Sequence, residues 1–445
     1  MHGRLWMGAL GVLGAIGAMG AGCNNGGTAS GASGAASGSG PAGPAVTEWK
    51  VGAFLSLSGA ETAFGKDTRE GIELAVEEVN KAGGARGKPM KVIYEDDKSS
   101  PQEATNKVLQ LIDRDKVVAI LGEVASARSK AGGIVANRKK IPMITPSSTN
   151  PEVTKVGPFV FRVCFTDDVQ GKLGAEFVVK TLGKKKIGIL YASDVLYSSG
   201  LAQEFKNEAK KLGAEIAIEK SFLQTETNFT TYLNEIKGAG VDVIYAPTYY
   251  NHMVPIARQA KAAGIKGDMF VGGDGWDAEE LVKDAGDEIE GAYFTNHYAP
   301  DVPWPNSKAF YAAYSTKYSR APTSLGAMGY DAAKVLADAI GRAKGDTPEA
   351  IRDAIADTKN FQGATGNITI NSERNADKPI VVVKIKDKKF TYFATVGGND
   401  PAAAPGAAGS PAPAAAGSAA PAAGSAVPAA GSAAPTAGSA APAIK

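Results

Sequence analysis

Apolar residues along the chain alternate between short strand-like runs and recurrence at helical spacing. The first stretch that shows both patterns spans residues 51–88. Residues 51–57 form a compact apolar run typical of a buried strand. Apolar residues then recur at helical spacing, at Ile72, Ala75, Val76 and Val79. Gly83-Gly84 predicts the end of this helix, and a second strand follows at residues 90–94. In parallel sheets ligands bind beyond the carboxyl ends of strands, so the loop at residues 56–65 is a candidate wall of a site.

The same alternation continues through most of the chain. Strands are predicted at residues 117–121, 143–145, 187–191, 216–222, 241–246, 269–272, 380–385 and 390–395. Helices are predicted at residues 101–113, from 126 to 138, and at 168–182, 199–212, 229–237, 253–263, 307–318, 325–342 and 348–357. Repeated strand–helix alternation predicts an α/β fold of two doubly wound units with parallel sheets. The folding region is also long enough for two cores.

The two ends of the chain have a different composition. Of the 445 residues, the first 46 and last 45 are dominated by Gly, Ala, Ser and Pro. Residues 24–46 are predicted to be a flexible linker, and residues 401–445, in which Gly-Ser recurs within Ala/Pro, a disordered tail. The net charge of +2 argues against nucleic acid as a partner, because phosphate binding needs a clustered positive surface.

The two cysteines, Cys23 and Cys164, are read differently. Cys164 lies in a strand-like run and is expected to be a small core residue. Cys23 follows the positive Arg4 and a short apolar segment of small residues. This arrangement resembles a bacterial lipoprotein signal, with residues 1–23 ending at the lipidated cysteine, although Gly20 stands where that pattern has leucine. Ordinary secretion with an unmodified cysteine is the alternative.

Five stretches in order resemble the leucine/isoleucine/valine-binding family of ABC-transporter solute-binding proteins, which have the type I periplasmic binding protein fold. The stretches are LSLSGAETAFGKDTREGIELAVEEVNKAGG (55–84), ITPSSTNPEVT (144–154), YSSG (197–200), ARQAKAAG (257–264) and VGGDGW (271–276). The resemblance implies two α/β lobes joined by three hinge crossovers, near residues 163–166, 294–297 and 365–371. Lobe 1 would then comprise residues 47–164 and 296–368, and lobe 2 residues 165–295 and 369–400. A disulfide common in the family would be absent, because Ala125 stands at one of its positions.

The resemblance also implies a site for an amino acid. Ser126, Ser147 and Thr149 match positions that hold the carboxylate and ammonium from lobe 1, and Asp274 matches the acid for the ammonium. Tyr197 and Tyr249 match tyrosines that close over the ligand. A helix start such as Ser126 suits a carboxylate because its N–H groups are free. Taken singly, these residues are also typical of helix caps, turns, loops and core edges.

The candidates for a side-chain pocket are Phe64, Val124 and Trp276, although Phe64 and Trp276 could equally pack on their own loops. Glu123 and Arg128 lie close by in sequence. His252 and His297 lack metal-ligand spacing and are read as structural or surface residues, so neither a metal nor a cofactor is expected.

These features predict an extracytoplasmic, lipid-anchored, monomeric protein of the cell envelope. It would capture an amino acid, branched-chain or otherwise apolar, between two closing lobes and deliver it to the membrane subunits of an ABC transporter. A ligand-sensing domain for a separate signalling partner is the alternative. An enzyme is not expected, because the chain has no GxSxG, HExxH or P-loop motif and only 3 histidines.

Overall fold

A computed structural model describes residues 47–397. The predicted leader, linker and tail, with Cys23, lie outside these residues. None of the helices described is both long and apolar enough to span a membrane. The strands are β1 Trp49–Leu55, β2 Met90–Asp96, β3 Ala119–Leu121, β4 Met143–Thr145, β5 Val160–Arg162, β6 Lys186–Ala192, β7 Glu215–Phe222, β8 Val243–Tyr245, β9 Phe270–Gly272, β10 Tyr293–Asn296, β11 Phe361–Gly363, β12 Gly366–Ile370, β13 Ala376–Asp377, β14 Ile380–Lys386 and β15 Lys389–Val396.

The α-helices lie between these strands along the chain. They are α1 Thr62–Lys81, α2 Pro101–Asp113, α3 Ser126–Arg138, α4 Asp167–Glu176, α5 Leu196–Lys211, α6 Thr230–Gly238, α7 Tyr250–Ala262, α8 Glu279–Ala285, α9 Pro305–Tyr318, α10 Ser324–Arg342 and α11 Pro348–Ala356. The predicted helix at 168–182 is α4 continued by a π-helical turn, Phe177–Thr181. Helix α2 shows why boundaries could be predicted, since the Ser100 side chain accepts a hydrogen bond from Glu103 N and Pro101 opens the first turn.

The first sheet has five parallel strands in the order β2-β1-β3-β4-β5. Side chains alternate along β1, so Val51, Ala53 and Leu55 pack in one cluster with α10, and Phe54 packs in another with α2 and α3. Both faces are therefore covered by helices, as buried parallel sheets require.

The second sheet has seven strands in the order β15-β14-β10-β9-β8-β6-β7. Its strands from β7 to β10 are parallel, and β14 and β15 form the predicted hairpin, in which β14 is antiparallel to both β15 and β10. The expected α/β architecture of two doubly wound units with parallel sheets is confirmed, with this antiparallel edge added.

A third, three-stranded sheet of β11, β12 and β13 was not predicted. Ile368, Ile370 and Ala376 from it pack in the same cluster as Trp49 of the first sheet. The chain therefore enters the second sheet only at β14, later than the crossover expected at residues 365–371. The lobe boundaries stay proposals, with the last one moved from 369 to about residue 378, and with the boundary at 295–296 falling inside β10.

Candidate ligand-binding site

Ten residues surround one small cavity between the half of the molecule built on the first sheet and the half built on the second. Eight of the nine predicted site residues are among them. The lining residues are Phe64, Val124, Ser126, Ser147, Thr149, Tyr197, Tyr249, Asp274, Gly275 and Leu325.

The cavity lies beyond the carboxyl ends of six strands. In the first sheet, Phe64 follows β1, Val124 and Ser126 follow β3, and Ser147 and Thr149 follow β4. In the second sheet, Tyr197 follows β6, Tyr249 follows β8, and Asp274 follows β9. This is the position at which open parallel sheets bind ligands. The fold thus explains how residues spread over 200 positions meet at one place.

The first half of the molecule contributes hydrogen-bonding groups. Ser126 is the first residue of α3, after an N-cap at Ala125, so it does not cap its own helix. Its Oγ accepts a hydrogen bond from Asn150 N at 3.2 Å, which ties the β3 loop to the β4 loop. Ser147 Oγ is buried with no hydrogen-bond partner among the described residues. A buried hydroxyl in this state is available to a ligand.

Among the described residues that line the cavity, Asp274 is the one carboxylic acid, and none is lysine, arginine or histidine. Asp274 is 6% exposed, and both of its carboxylate oxygens accept hydrogen bonds. Gln170 Nε2 donates to Oδ1 at 2.9 Å, and His297 Nε2 donates to Oδ2 at 3.2 Å. These two donors fix the carboxylate in one orientation. Burial raises the pKa of the neighbouring Asp167 carboxyl well above its usual range, and Asp274 adds to this effect.

Tyr197 and Tyr249 stack on each other beside Asp274, with ring centroids 5.1 Å apart and planes 6° from parallel. The Tyr197 hydroxyl accepts a hydrogen bond from Gly275 N at 3.0 Å. A Cβ at Gly275 would lie 2.8 Å from the Tyr197 ring, and one at Gly273 would lie 2.5 Å from its hydroxyl. Both glycines are therefore needed for the close approach of this loop to the tyrosines.

Apolar side chains supply the rest of the wall. Phe64 packs edge-on against Tyr249, with centroids 5.5 Å apart, and Val124 and Leu325 complete the apolar lining. The assignment of Trp276 to this wall was wrong. Its indole is fully buried in the core, where Nε1 donates to Ala246 O at 3.0 Å, because the ring packs directly under β9.

Glu123 and Arg128 do not line the cavity but pair behind it. Arg128 Nε lies 3.1 Å from Glu123 Oε2, and Nη1 lies 3.1 Å from Glu61 Oε2. Ser56 Oγ lies within hydrogen-bond distance of both Glu123 and Asp97. Burial, and then Glu123, raise the pKa of Asp97 to about 8. These charged side chains pair with one another, so they are not available to pair with a ligand.

Several hydrogen bonds join the two halves around the cavity. Asn251 Nδ2 donates to Glu61 Oε1 at 3.2 Å, and the Tyr250 hydroxyl donates to Ala60 O at 3.2 Å. On another side, Asn150 Nδ2 donates to Leu196 O at 3.1 Å. With its lining residues buried, the cavity has the form of a closed cleft.

Sequence reasoning missed some functional neighbours. Leu325 and Gly275 were not predicted as lining residues, and no signal marked Leu325, which lies in the first turn of α10. His252 and His297 are both buried, so the surface alternative was wrong for them, and His297 contacts Asp274. Over residues 47–397 no cluster of His, Cys, Asp or Glu could hold a metal ion.

Comparison with known proteins agrees with this architecture. The family model described as "Periplasmic binding protein" matches residues 48–389. A leucine-, isoleucine-, valine-, threonine- and alanine-binding protein of Pseudomonas aeruginosa is 29% identical over 70% of this chain and 83% of its own. The leucine-binding protein LivK of Thermotoga maritima has 38% identity and a TM-score of 0.74, covering 78% of this chain and 98% of that one. LivJ of Streptococcus pneumoniae, solved with isoleucine, has 32% identity and a TM-score of 0.73 over the same shares.

The family match and the relatives named as binding proteins identify this chain of two α/β halves as a solute-binding protein rather than an enzyme. The chain belongs to the periplasmic binding protein family and has the type I fold of its leucine/isoleucine/valine-binding members. Proteins of this family are extracytoplasmic, and its members similar to this chain bind branched-chain amino acids for ABC transporters.

Proposed function

We propose that this protein captures an amino acid with an apolar side chain, branched-chain or otherwise, between its two halves and delivers it to the membrane subunits of an ABC transporter. The observation that carries the proposal is the lining of the cavity, which combines one fixed carboxylate, several hydroxyls and an apolar wall. An amino acid presents an ammonium, a carboxylate and a side chain that match these three components. Relatives named for binding leucine, isoleucine and valine support the same ligand class.

Each part of the ligand has an assigned partner in this proposal. Asp274 accepts hydrogen bonds from the ammonium, with help from the backbone of Ser147. Ser126, Thr149 and the first N–H groups of α3 donate to the carboxylate. Hydrogen bonds between charged and polar groups of this kind contribute about 1.5–3 kcal/mol each. Tyr197 and Tyr249 close over the ligand backbone.

The side chain of the ligand lies against Phe64, Val124 and Leu325. None of the lining residues in the described chain is a cation, and Asp274 is already assigned to the ammonium. A charged ligand side chain would therefore be buried without a partner, which is costly. Branched-chain and other apolar amino acids are favoured for this reason.

The test is to identify what the protein holds and what it binds. Mass spectrometry of small molecules released from natively purified protein should find a branched-chain or other apolar amino acid. Isothermal calorimetry of the stripped protein should then show saturable binding of leucine and none of glucose. A bound sugar, or no heat with any apolar amino acid, would contradict the proposal.

The remaining parts of the proposal concern location and assembly. The lipoprotein-like segment ending at Cys23 would anchor the mature protein, as a monomer, to the outer face of a membrane. The linker at 24–46 would then let the folded region reach its transporter. Lobe 1 would comprise residues 47–164 and residues 296 to about 378. Lobe 2 would comprise the remainder of the described chain.

A further inference from the structure

His297 makes a contact that the function proposed above does not use. Its ring is fully buried, and Nε2 lies 3.2 Å from Asp274 Oδ2, on the acid assigned to the ligand ammonium. The residue directly follows β10, where the chain leaves the second sheet. Its ring also packs on Phe165, in the connection between β5 and α4, with centroids 3.9 Å apart. The orientation of Asp274 is thus linked to two of the connections between the two halves.

The hydrogen-bonding roles follow from the chemistry of the two groups. An ionised carboxylate only accepts hydrogen bonds, so Nε2 must carry the proton that points at Asp274. In the neutral ring, Nδ1 is then bare, and Nδ1 is buried with no partner among the described residues. A second proton on Nδ1 would find no acceptor there. This geometry holds the ring as the neutral Nε2–H form.

We propose that His297 is a positioning residue that aims Asp274 at the ligand ammonium, and that its protonation makes ligand binding sensitive to acid. The proposal rests on the amino-acid binding proposed above. The neutral ring donates one hydrogen bond and leaves the negative charge of Asp274 for the ligand. The protonated ring is a fixed cation 3.2 Å from the same carboxylate and competes with the ammonium for it. Ligand binding and His297 protonation therefore oppose each other.

The other titratable groups near this pair differ in their behaviour. Burial lowers the pKa of His297, and contact with Asp274 opposes this. Lys378 faces His297 from the connection between β13 and β14, and burial lowers the pKa of Lys378 to about 8, so it remains protonated below neutral pH. The pKa of Cys164 is raised by burial to about 12, so it does not titrate in this range. Asp167, which faces Asp274 from α4, has a raised pKa. Its effect on the pH dependence of binding is distinguished from that of His297 by mutating His297.

The test uses calorimetry to compare the leucine affinity of the wild type with that of three variants, across about pH 5 to pH 8. In the wild type, Kd should rise below the pKa of His297, approaching about tenfold per pH unit, since one proton must leave for each ligand bound. His297→Phe removes the donor and should raise Kd at neutral pH by about tenfold or more. His297→Gln retains a neutral N–H donor, so it should recover part of that loss and lose the acid sensitivity. His252→Gln is the control, since His252 bonds Gln224 O and not Asp274.

A His297→Gln protein whose pH profile parallels the wild type would overturn the proposal and assign the effect to Asp167. Nitrogen-15 NMR of the histidine rings in the ligand-free protein gives an answer that does not depend on the ligand. The Nε2–H form should persist at neutral pH and begin to titrate below about 6.5. A ring found as Nδ1–H, or titrating above that value, would also overturn the proposal. If the wild type bound no amino acid, the proposed function would fail and the NMR result alone would decide the role of His297.

Discussion

Asn251 Nδ2 donates a hydrogen bond to Glu61 Oε1 at 3.2 Å, joining α7 of the second sheet to the residue that precedes α1 in the first. The other oxygen of Glu61 is paired with Arg128, so the acceptor is held in place on the first half. Such a bond forms only when the two halves are close together. It therefore belongs to the closed form and contributes to ligand affinity through closure.

We expect Asn251→Ala to weaken leucine binding by about fivefold, because the closed state loses about 1 kcal/mol of hydrogen bonding. Calorimetry gives the affinity, and small-angle scattering should show a smaller radius of gyration with leucine than without it. Asn207→Ala is the matched control, since Asn207 is exposed on α5 and bonds only Gln203 on its own helix. A radius of gyration that does not change at saturating leucine would contradict a hinged closure.

Asp274→Ala should reduce leucine affinity by more than a hundredfold. The ligand ammonium would be buried without its counter-charge, and breaking a buried charge pair costs about 3–5 kcal/mol. Asp284→Ala, at an exposed position of α8, controls for the loss of one negative charge. Circular dichroism would verify folding, because Gln170 and His297 also lose their acceptor. Unchanged affinity in a folded Asp274→Ala protein would remove the basis for a zwitterion site.

Much of the fold followed from local signals. Helix α2 was predicted at residues 101–113, which are its bounds in the structure. Its start is marked locally, because the Ser100 side chain caps the helix and Pro101 occupies its first turn. The small sheet of β11, β12 and β13 was missed, since strands of 3, 5 and 2 residues carry too short a pattern. Such strands depend on pairing with distant partners rather than on their own propensity.

The site was predictable where a residue follows a strand. Asp274 and Thr149 each lie just after one, and strand ends can be read from the apolar pattern. Leu325 lies in the first turn of α10, 201 positions after Val124 in the sequence, and only the packing of α10 on α1 brings it to the cavity. Trp276 has the same local signal as Asp274, but its large ring turns into the core. The direction of a side chain in a loop is decided by tertiary packing, which the local sequence does not specify.

Folding stability should depend on pH through Asp277. Its carboxylate accepts a hydrogen bond from Ser324 N at 2.6 Å and is 1% exposed. Burial raises the pKa of Asp277 to about 7, with the hydrogen bond of Asn296 acting in the opposite direction. Between about pH 4 and pH 7 the unfolded chain has released this proton and the folded chain retains it. Stability contributed by this group is therefore lost as pH rises through that window, by at most about 1.4 kcal/mol per pH unit.

Asp277→Asn should remove this component and flatten the pH dependence of the urea midpoint between those limits. The amide oxygen can still accept from Ser324 N, so the variant should gain stability relative to the wild type at pH 8. Asp284→Asn, on the surface of α8, should leave the profile as it is. An Asp277→Asn profile as steep as that of the wild type would assign the dependence to other buried carboxyls, such as Asp67 and Asp331.

Cys23→Ala should move the protein from the membrane fraction to the soluble fraction while leaving leucine affinity unchanged. The cysteine lies 24 positions before the first described residue, Thr47, and outside the part of the chain that forms the cavity. Cys164→Ala is the contrasting variant, since Cys164 is a buried free thiol and should affect stability but not membrane association. Deletion of residues 401–445 should also leave affinity unchanged. Continued sedimentation of Cys23→Ala with membranes would exclude lipid as the anchor.

The apolar wall should make the protein selective for side chains without charge. Leucine, isoleucine and valine should bind more tightly than glutamate or lysine by about a hundredfold or more, because a buried charge without a partner is costly. Leu325→Ala should weaken leucine binding, since it removes an apolar contact from the wall. Leu223→Ala, at a side chain that is 59% exposed, should not change leucine affinity. Competition calorimetry across this set of amino acids is the measurement, and glutamate binding as tightly as leucine would contradict the assignment of Phe64, Val124 and Leu325 to the side-chain pocket.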